Sequence, residues 1–253
     1  MHERNQSASL RRALVVLEHV RDHAGLTLTQ LADAVGLTKS TVLRLATPLI
    51  ETGLLHRDRK SGAYHLGPGA LQLGQAYLAT LDLRTVAAEE THRLAEEVGE
   101  TVHLVVYDAP HVVYIDKVEN QTNVRMASRI GSRGPAHSTA VGKAILAWQP
   151  EQAISSVIAL GLPRHTKHTI TDPALLLKEL ARVRQRGYAV DDRENEPEVR
   201  CVAAPIFNHH DTVASAISVS GLSSRITAAG VRQLGPLVAR TATTISRKLG
   251  STR

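Results

Sequence analysis

The sequence predicts an α+β protein in two parts: a small, mainly helical N-terminal unit closed by a β-hairpin, and a larger domain of mixed sheet and helices behind it. Three observations predict this. Apolar residues recur at helical spacing in three successive segments up to residue 52. Two short strand patterns follow around a basic, Gly-containing turn at residues 59–62. From residue 101 onward, strand runs alternate with hairpins and helices.

The first helix is predicted over residues 10–23, with Leu10, Ala13, Leu14, Leu17 and Val20 on its apolar stripe. Gly25 ends it. Thr27 with Gln30 three positions later is a capping-box pattern, and Leu28, Leu31, Ala32 and Val35 then share one face. Gly36 breaks that helix. The third runs over 38–52, burying Val42, Leu45, Leu49 and Ile50, and Pro48 near its end removes a backbone donor and predicts a kink in the last turn. Strands at 54–57 and 63–66 make the hairpin. Gly67-Pro68-Gly69 punctuates the chain, and helices are expected at 70–80 and 83–98. The predicted parts are therefore residues 1–68, a linker helix at 69–82, and a second domain at 83–253. In that domain strands are expected at 101–107, 111–118, 124–130, 188–191, 202–207 and 213–220. Helices are expected at 139–148, 150–160, 172–186 and 227–249, the third opened by Asp172 and Pro173.

Composition limits the partners. Hydrophobic residues make up 43% of the 253 and charged residues 21%, enough for two ordinary cores. Aromatics at 3% are too few and scattered for a base-stacking platform, which argues against a single-strand nucleic-acid binder. The formal charge of +6 favours polyanions. One cysteine, Cys201, excludes an internal disulfide and a Cys-rich zinc module. No run approaches the ~20 apolar residues of a membrane span, and no signal peptide is evident; a cytoplasmic protein without a cofactor or membrane partner is expected.

Two helices across a Gly turn, followed by a hairpin, form the plan of a winged helix-turn-helix. The second helix of the pair must bury one face and offer short polar and basic groups on the other to the major groove. Residues 38–44 have that pattern. Thr38, Ser40 and Thr41 suit hydrogen bonds to phosphates or bases, Lys39 neutralises phosphate, and Arg44 has the fork for guanine or a phosphate. Thr27 joins them at the preceding helix start. Arg57, Arg59 and Lys60 bring positive charge on the wing, partly offset by Asp58. A three-helix protein-interaction module with a solvated polar face is the alternative; the basic hairpin tip favours double-stranded DNA.

These residues resemble the IclR family of bacterial regulators. GLTKSTVLRL at 36–45 is similar to its recognition helix and SGAYHLGPGALQLG at 61–74 to its wing and linker. GETVHLVVYD (99–108), HSTAVGKAILA (137–147), RGYAVDDRENEPEVRCVAAPIF (186–207) and SVSGLSSRIT (218–227) resemble its effector-domain segments. The resemblance implies a GAF-like C-terminal domain that binds a small organic effector, often a carboxylate. It implies homodimers or homotetramers on palindromic operators, acting as repressor or activator, often of a catabolic operon. Carried over residue by residue, it places the effector against the backbone of Ala140 and Val141 and the side chains of Asp191, Cys201, Ser218 and Ser220, with Met126 as an apolar wall. Ser218 and Ser220, two apart on a strand, would face the same way. Where many family members have Pro, Thr38 stands as a helix cap, and Gly134 stands where an apolar residue is common.

Two other functions fit parts of the sequence. Cys201 with His137 or His165 would be the nucleophile and base of an enzyme. His165 with His168, or His209 with His210, would ligate a metal in a metal-responsive regulator.

Overall fold

The computed structural model describes residues 2–79, 82–119 and 127–253, and the chain divides into two compact units, Met1–Leu81 and Asp82–Arg253. The first unit contains α1 (His2–Asp22), α2 (Leu28–Val35), α3 (Lys39–Glu51), strands β1 (Leu55–Arg57) and β2 (Tyr64–Leu66), and α4 (Pro68–Ala79). Its core joins Ala13, Val16 and Val20 of α1 to Leu31 and Ala32 of α2, Val42, Leu45, Ala46 and Leu49 of α3, and Leu55 and Tyr64 of the hairpin. The buried line on α1 is displaced from the predicted stripe. Leu10 and Leu14 are 63% and 48% exposed, and Val16 takes the inward place. At 3.6 residues per turn, Leu10–Leu14 and Ala13–Val16–Val20 are adjacent stripes, and periodicity does not choose between them.

Caps set the α2–α3 turn. Thr27 Oγ1 accepts from Gln30 N while Gln30 Oε1 accepts from Thr27 N, closing the capping box. Gly36 ends α2 in the left-handed conformation at φ 64° and sends its N–H back to Ala32 and Asp33. α3 continues through Pro48 to Glu51, and the lost backbone bond does not end the helix there. The chain leaving the hairpin returns to the foot of α3, where Gly67 N–H donates to Leu54 O and Gly69 N–H to Gly53 O. A β-carbon on Gly67 would lie 2.2 Å from Gly53 O, so the approach is main chain against main chain.

The second unit holds α5 (Asp82–Val98), β3 (Thr101–Asp108), β4 (His111–Val118), β5 (Arg133–Pro135), α6 (Ala140–Leu146), α7 (Glu151–Ala159), α8 (Pro173–Arg186), β6 (Ala189–Asp192), β7 (Val199–Phe207), β8 (Val213–Leu222) and α9 (Ala228–Lys248). The strands form one antiparallel sheet in the order β5-β4-β3-β8-β7-β6. α5 and α9 pack on each other and on the sheet. α6 packs on β6, β7 and β8, and α8 on α6. Ala203, Ala216 and Val105 of the sheet share a core with Ala144, Ile145 and Leu180 of these helices. Asp172 caps α8, accepting from Ala174 N at 2.7 Å. The strand expected at 124–130 is corrected: 124–126 lie outside the described residues, 127–130 belong to no strand, and the short edge strand is Arg133–Pro135. β7 starts at Val199, three residues before the predicted strand.

Candidate functional site

On the first unit, α3 turns its polar side outward. Thr38, Lys39, Ser40 and Arg44 are exposed and Thr41 is half-buried, while Val42, Leu45, Ala46 and Leu49 hold the inner face. Thr38 caps the helix: its Oγ1 accepts from Thr41 N at 3.3 Å and lies 3.1 Å from Ser40 Oγ and 2.9 Å from Thr41 Oγ1. Three hydroxyls are thereby gathered at the end where backbone N–H groups point outward, a setting suited to phosphate. Thr27 sits at the start of α2, and its hydroxyl also contacts Gln30 Oε1 at 2.8 Å.

The wing is built around a carboxylate. Asp58 Oδ1 accepts from Lys60 N at 3.0 Å, Ser61 N at 2.7 Å and Ser61 Oγ at 2.7 Å. Those bonds from Ser61, backbone first, hold the Asp58 carboxyl below its usual range. Asp58 thus shapes the turn that carries Arg59 and Lys60, both exposed. Arg57 bends back along the hairpin: its Nε donates to Gly62 O at 3.3 Å and its guanidinium stands 5.5 Å over the Tyr64 ring. The predicted basic residues therefore divide into one brace and two at the tip.

On the second unit, sheet register does what chain distance conceals. Asp191 pairs with Cys201, and Cys201 with Ser220, across three strands. The next row on the same face places Ala203 opposite Ser218 and Ser218 opposite His103. A cavity, partly open to solvent, lies between these rows and the start of α6. Ala140, Val141, Asp191, Cys201, Ser218 and Ser220 all line it. Met126 falls outside the described residues. Sequence reasoning missed His103, Tyr114, Ser128, Thr139, Asn195, Glu196 and Val199, which also line the cavity. Thr139 had a signal, being the cap directly before Ala140, with its Oγ1 accepting from Gly142 N at 3.1 Å. Tyr114 reaches the cavity beside Gly134, where a β-carbon would lie only 3.4 Å from the Tyr114 hydroxyl and 3.3 Å from Thr139 Cγ2.

A buried ion pair fixes the acidic end. Lys143, fully buried on α6, donates from Nζ to Val190 O at 2.6 Å and to Glu194 Oε1. Glu194 Oε2 has no partner among the described residues, and burial pushes this carboxyl above its usual range against the pull of Lys143. Thr166 Oγ1 donates to Arg193 O and Thr169 Oγ1 to Glu194 O, both at 2.6 Å, clamping the turn after β6. Within that turn Asp191 Oδ1 accepts from Glu194 N at 2.7 Å and Asn195 N at 3.3 Å. Burial nevertheless pushes Asp191 up to about 7, with Lys143 and the Glu194 N–H opposing.

Burial raises the Cys201 thiol far above its ordinary value, and the neighbouring Asp191 raises it further, so the thiolate is suppressed. His137 contacts Pro163 O at 3.0 Å and faces His165 with ring centroids 5.7 Å apart. Among the described residues, no three His, Cys, Asp or Glu side chains converge as metal donors, and no helix is long and apolar enough to cross a membrane.

Comparison with known proteins places both units. Residues 9–59 match the IclR helix-turn-helix domain, and residues 75–247 match the model described as bacterial transcriptional regulator IclR C-terminal. The chain is 35% identical to the HTH-type transcriptional regulator KipR of Bacillus subtilis over 249 residues, covering 98% of this chain and 99% of that one. The crystal structure of the Thermotoga maritima IclR superposes with a TM-score of 0.79 at 33% identity, covering 97% of this chain and all of the other. An IclR homolog from Microbacterium hydrocarbonoxydans, complexed with 4-hydroxybenzoate, superposes at 0.81 with 25% identity, covering 95% and 98%.

Proposed function

The chain belongs to the IclR family of bacterial transcriptional regulators, and from that premise we propose that it binds palindromic operators as a dimer or tetramer and that a small organic acid in the second unit's cavity adjusts its hold on DNA. In the dimer, two α3 helices enter major grooves about 34 Å apart. Lys39, Arg44 and the Thr38–Ser40–Thr41 hydroxyl group make the groove contacts, Arg59 and Lys60 touch the flanking backbone, and Arg57 keeps the hairpin in shape. The protein works in the cytoplasm, where its operator is.

The observation that carries the sensing role is the convergence of Asp191, Cys201, Ser218 and Ser220, from three strands, on one cavity at the start of α6. Two serine hydroxyls and the backbone of Ala140 and Val141 suit a carboxylate, and Asp191 accepts from a hydroxyl or, holding its proton, donates. The 4-hydroxybenzoate on the homolog supports an effector of this class. The cavity is read as a sensor and not a catalytic centre, since Cys201 is held as a thiol.

The test is a thermal-shift screen of small carboxylates on the full chain, followed by operator binding with each stabilising compound. A responder should change operator affinity in the wild type and leave it unchanged in the Ser218→Ala/Ser220→Ala double variant. A response that survives in the double variant places the effector elsewhere. Arg44→Ala should weaken operator binding by roughly 1–3 kcal/mol; unchanged affinity removes Arg44 from the interface.

A further inference from the structure

One wall of the cavity is a histidine whose two nitrogens are both engaged. His103 is buried at 3% exposure on β3. Its Nδ1 lies 3.2 Å from Ser220 Oγ and its Nε2 lies 2.7 Å from Ser128 Oγ. The Tyr114 ring meets it edge-on at 5.1 Å between centroids, which fixes the ring plane. Burial, aided by the positive charge of Lys117, pushes its pKa down to about 3, so the imidazole is neutral at physiological pH.

A neutral imidazole has one N–H and one lone pair. The two serines therefore cannot play the same part: one donates its hydroxyl proton to the ring and the other accepts the ring N–H. Ser220 has a single proton to give. If it goes to Nδ1, the hydroxyl offers the cavity lone pairs only. If Nδ1 carries the hydrogen and donates, the Ser220 O–H is released from the ring and can turn into the cavity, where the neighbouring Cys201 sulfur is its competing acceptor.

We propose that His103 is a positioning residue for the effector, setting by its tautomer whether Ser220 presents a donor or an acceptor to the cavity. A carboxylate at Ser220 selects the Nδ1–H form: His103 donates to Ser220 Oγ, Ser220 donates to the carboxylate, and Ser128 O–H donates to Nε2. An effector that presents a hydroxyl proton to Ser220 selects the other form, in which Ser220 donates to Nδ1 and Nε2–H donates to Ser128 Oγ. In passing between the forms one ring nitrogen loses a proton, the other gains one, and each serine reverses its hydrogen bond, with no net uptake or release. This rests on the effector reading above and extends it to His103 and Ser128.

The experiment uses the full chain with ¹⁵N-labelled histidine and long-range ¹H–¹⁵N spectra at pH 7, which distinguish both tautomers from the cation. Ser220→Ala removes the partner at Nδ1 and should leave His103 as the Nε2–H form. Ser128→Ala removes the partner at Nε2 and should leave the Nδ1–H form, an unpaired buried N–H being the costlier orphan. Addition of a stabilising carboxylate from the screen to the wild type should move the signal toward the Nδ1–H pattern. A cationic His103, the same tautomer in both serine variants, or an Nε2–H form with carboxylate bound overturns the proposal. If the serine variants exchange the tautomer but no carboxylate in the panel binds, the effector class fails and the coupling of His103 to Ser220 stands.

Discussion

A carboxyl buried as deeply as Asp191 makes its protonation a property of the fold. Its pKa stands near 7 in the folded chain, against an ordinary value of 3.8. Between those values the folded state holds a proton that the unfolded state has released. Its contribution to stability therefore falls as pH rises through that window and levels off above about pH 7. One proton corresponds to a slope of at most ~1.4 kcal/mol per pH unit. Urea melts of the wild type and Asp191→Asn between pH 5 and 8 should diverge in this sense, with the variant lacking that part of the slope; parallel curves would remove Asp191 as the cause. Asp58, by contrast, acts through shape. It is a negative charge on the hairpin proposed to flank DNA, yet it makes the turn that presents Arg59 and Lys60. Asp58→Asn keeps an acceptor oxygen for the turn and sheds the charge, so operator affinity should rise. Asp58→Ala sheds both and should lower it. If the alanine variant also binds more tightly in a mobility-shift titration, charge alone governs the wing.

At the scale of elements, α6 has little room for change at Gly142. A β-carbon on Gly142 would fall 2.3 Å from Ala136 O and 2.4 Å from Ala136 Cα, so Gly142→Ala must push α6 away from the preceding turn. Overpacking of this kind costs roughly 1–3 kcal/mol, and the displacement opens the cavity wall at Ala140 and Val141. The variant should melt earlier and lose its response to the effector while its helix-turn-helix still binds operator at low temperature. An intact response would show that the wall tolerates the shift. The helices were largely legible in the sequence, because caps such as Thr27 and Asp172 and the glycines at 36 and 53 mark their ends chemically. The edge strand was not. Gly134 and Pro135 have the composition of a turn, and three residues are too few to show alternation. The cavity was legible in proportion to how local its signals are. Two serines on one strand share a face by parity alone, and Asp191 and Cys201 were recoverable through resemblance. His103 became visible only when register set β3 beside β8, and nothing in a single chain's spacing states that register.

For the whole molecule, the proposed effector and operator act on one free energy. Whatever factor the effector applies to operator affinity, the operator must apply to effector affinity, typically through a coupling of about 1–3 kcal/mol. Calorimetric titration of a responding carboxylate into the free protein and into the protein–operator complex should give two dissociation constants whose ratio equals the shift in operator affinity measured separately. Unequal ratios would mean that a further equilibrium, such as assembly of dimers into tetramers, intervenes. The low aromatic content suits both units: Leu, Val, Ile and Ala fill the second core, and the first adds Tyr64 to the same aliphatic set.

The glycine contact at the foot of α3 limits how this protein can be engineered. Replacing glycine by alanine in a helix ordinarily gains about 1 kcal/mol, and Gly69, Gly74 and the adjoining Gly67 look like candidates for stiffening the α4 segment. At Gly67 and Gly69 the added methyl would collide with carbonyls of Thr52 and Gly53, whereas at Gly74 it meets nothing within 4 Å among the described residues. Thermostabilising design of this connector therefore has one usable glycine, and substitutions at the other two must push the start of α4 away from the foot of α3.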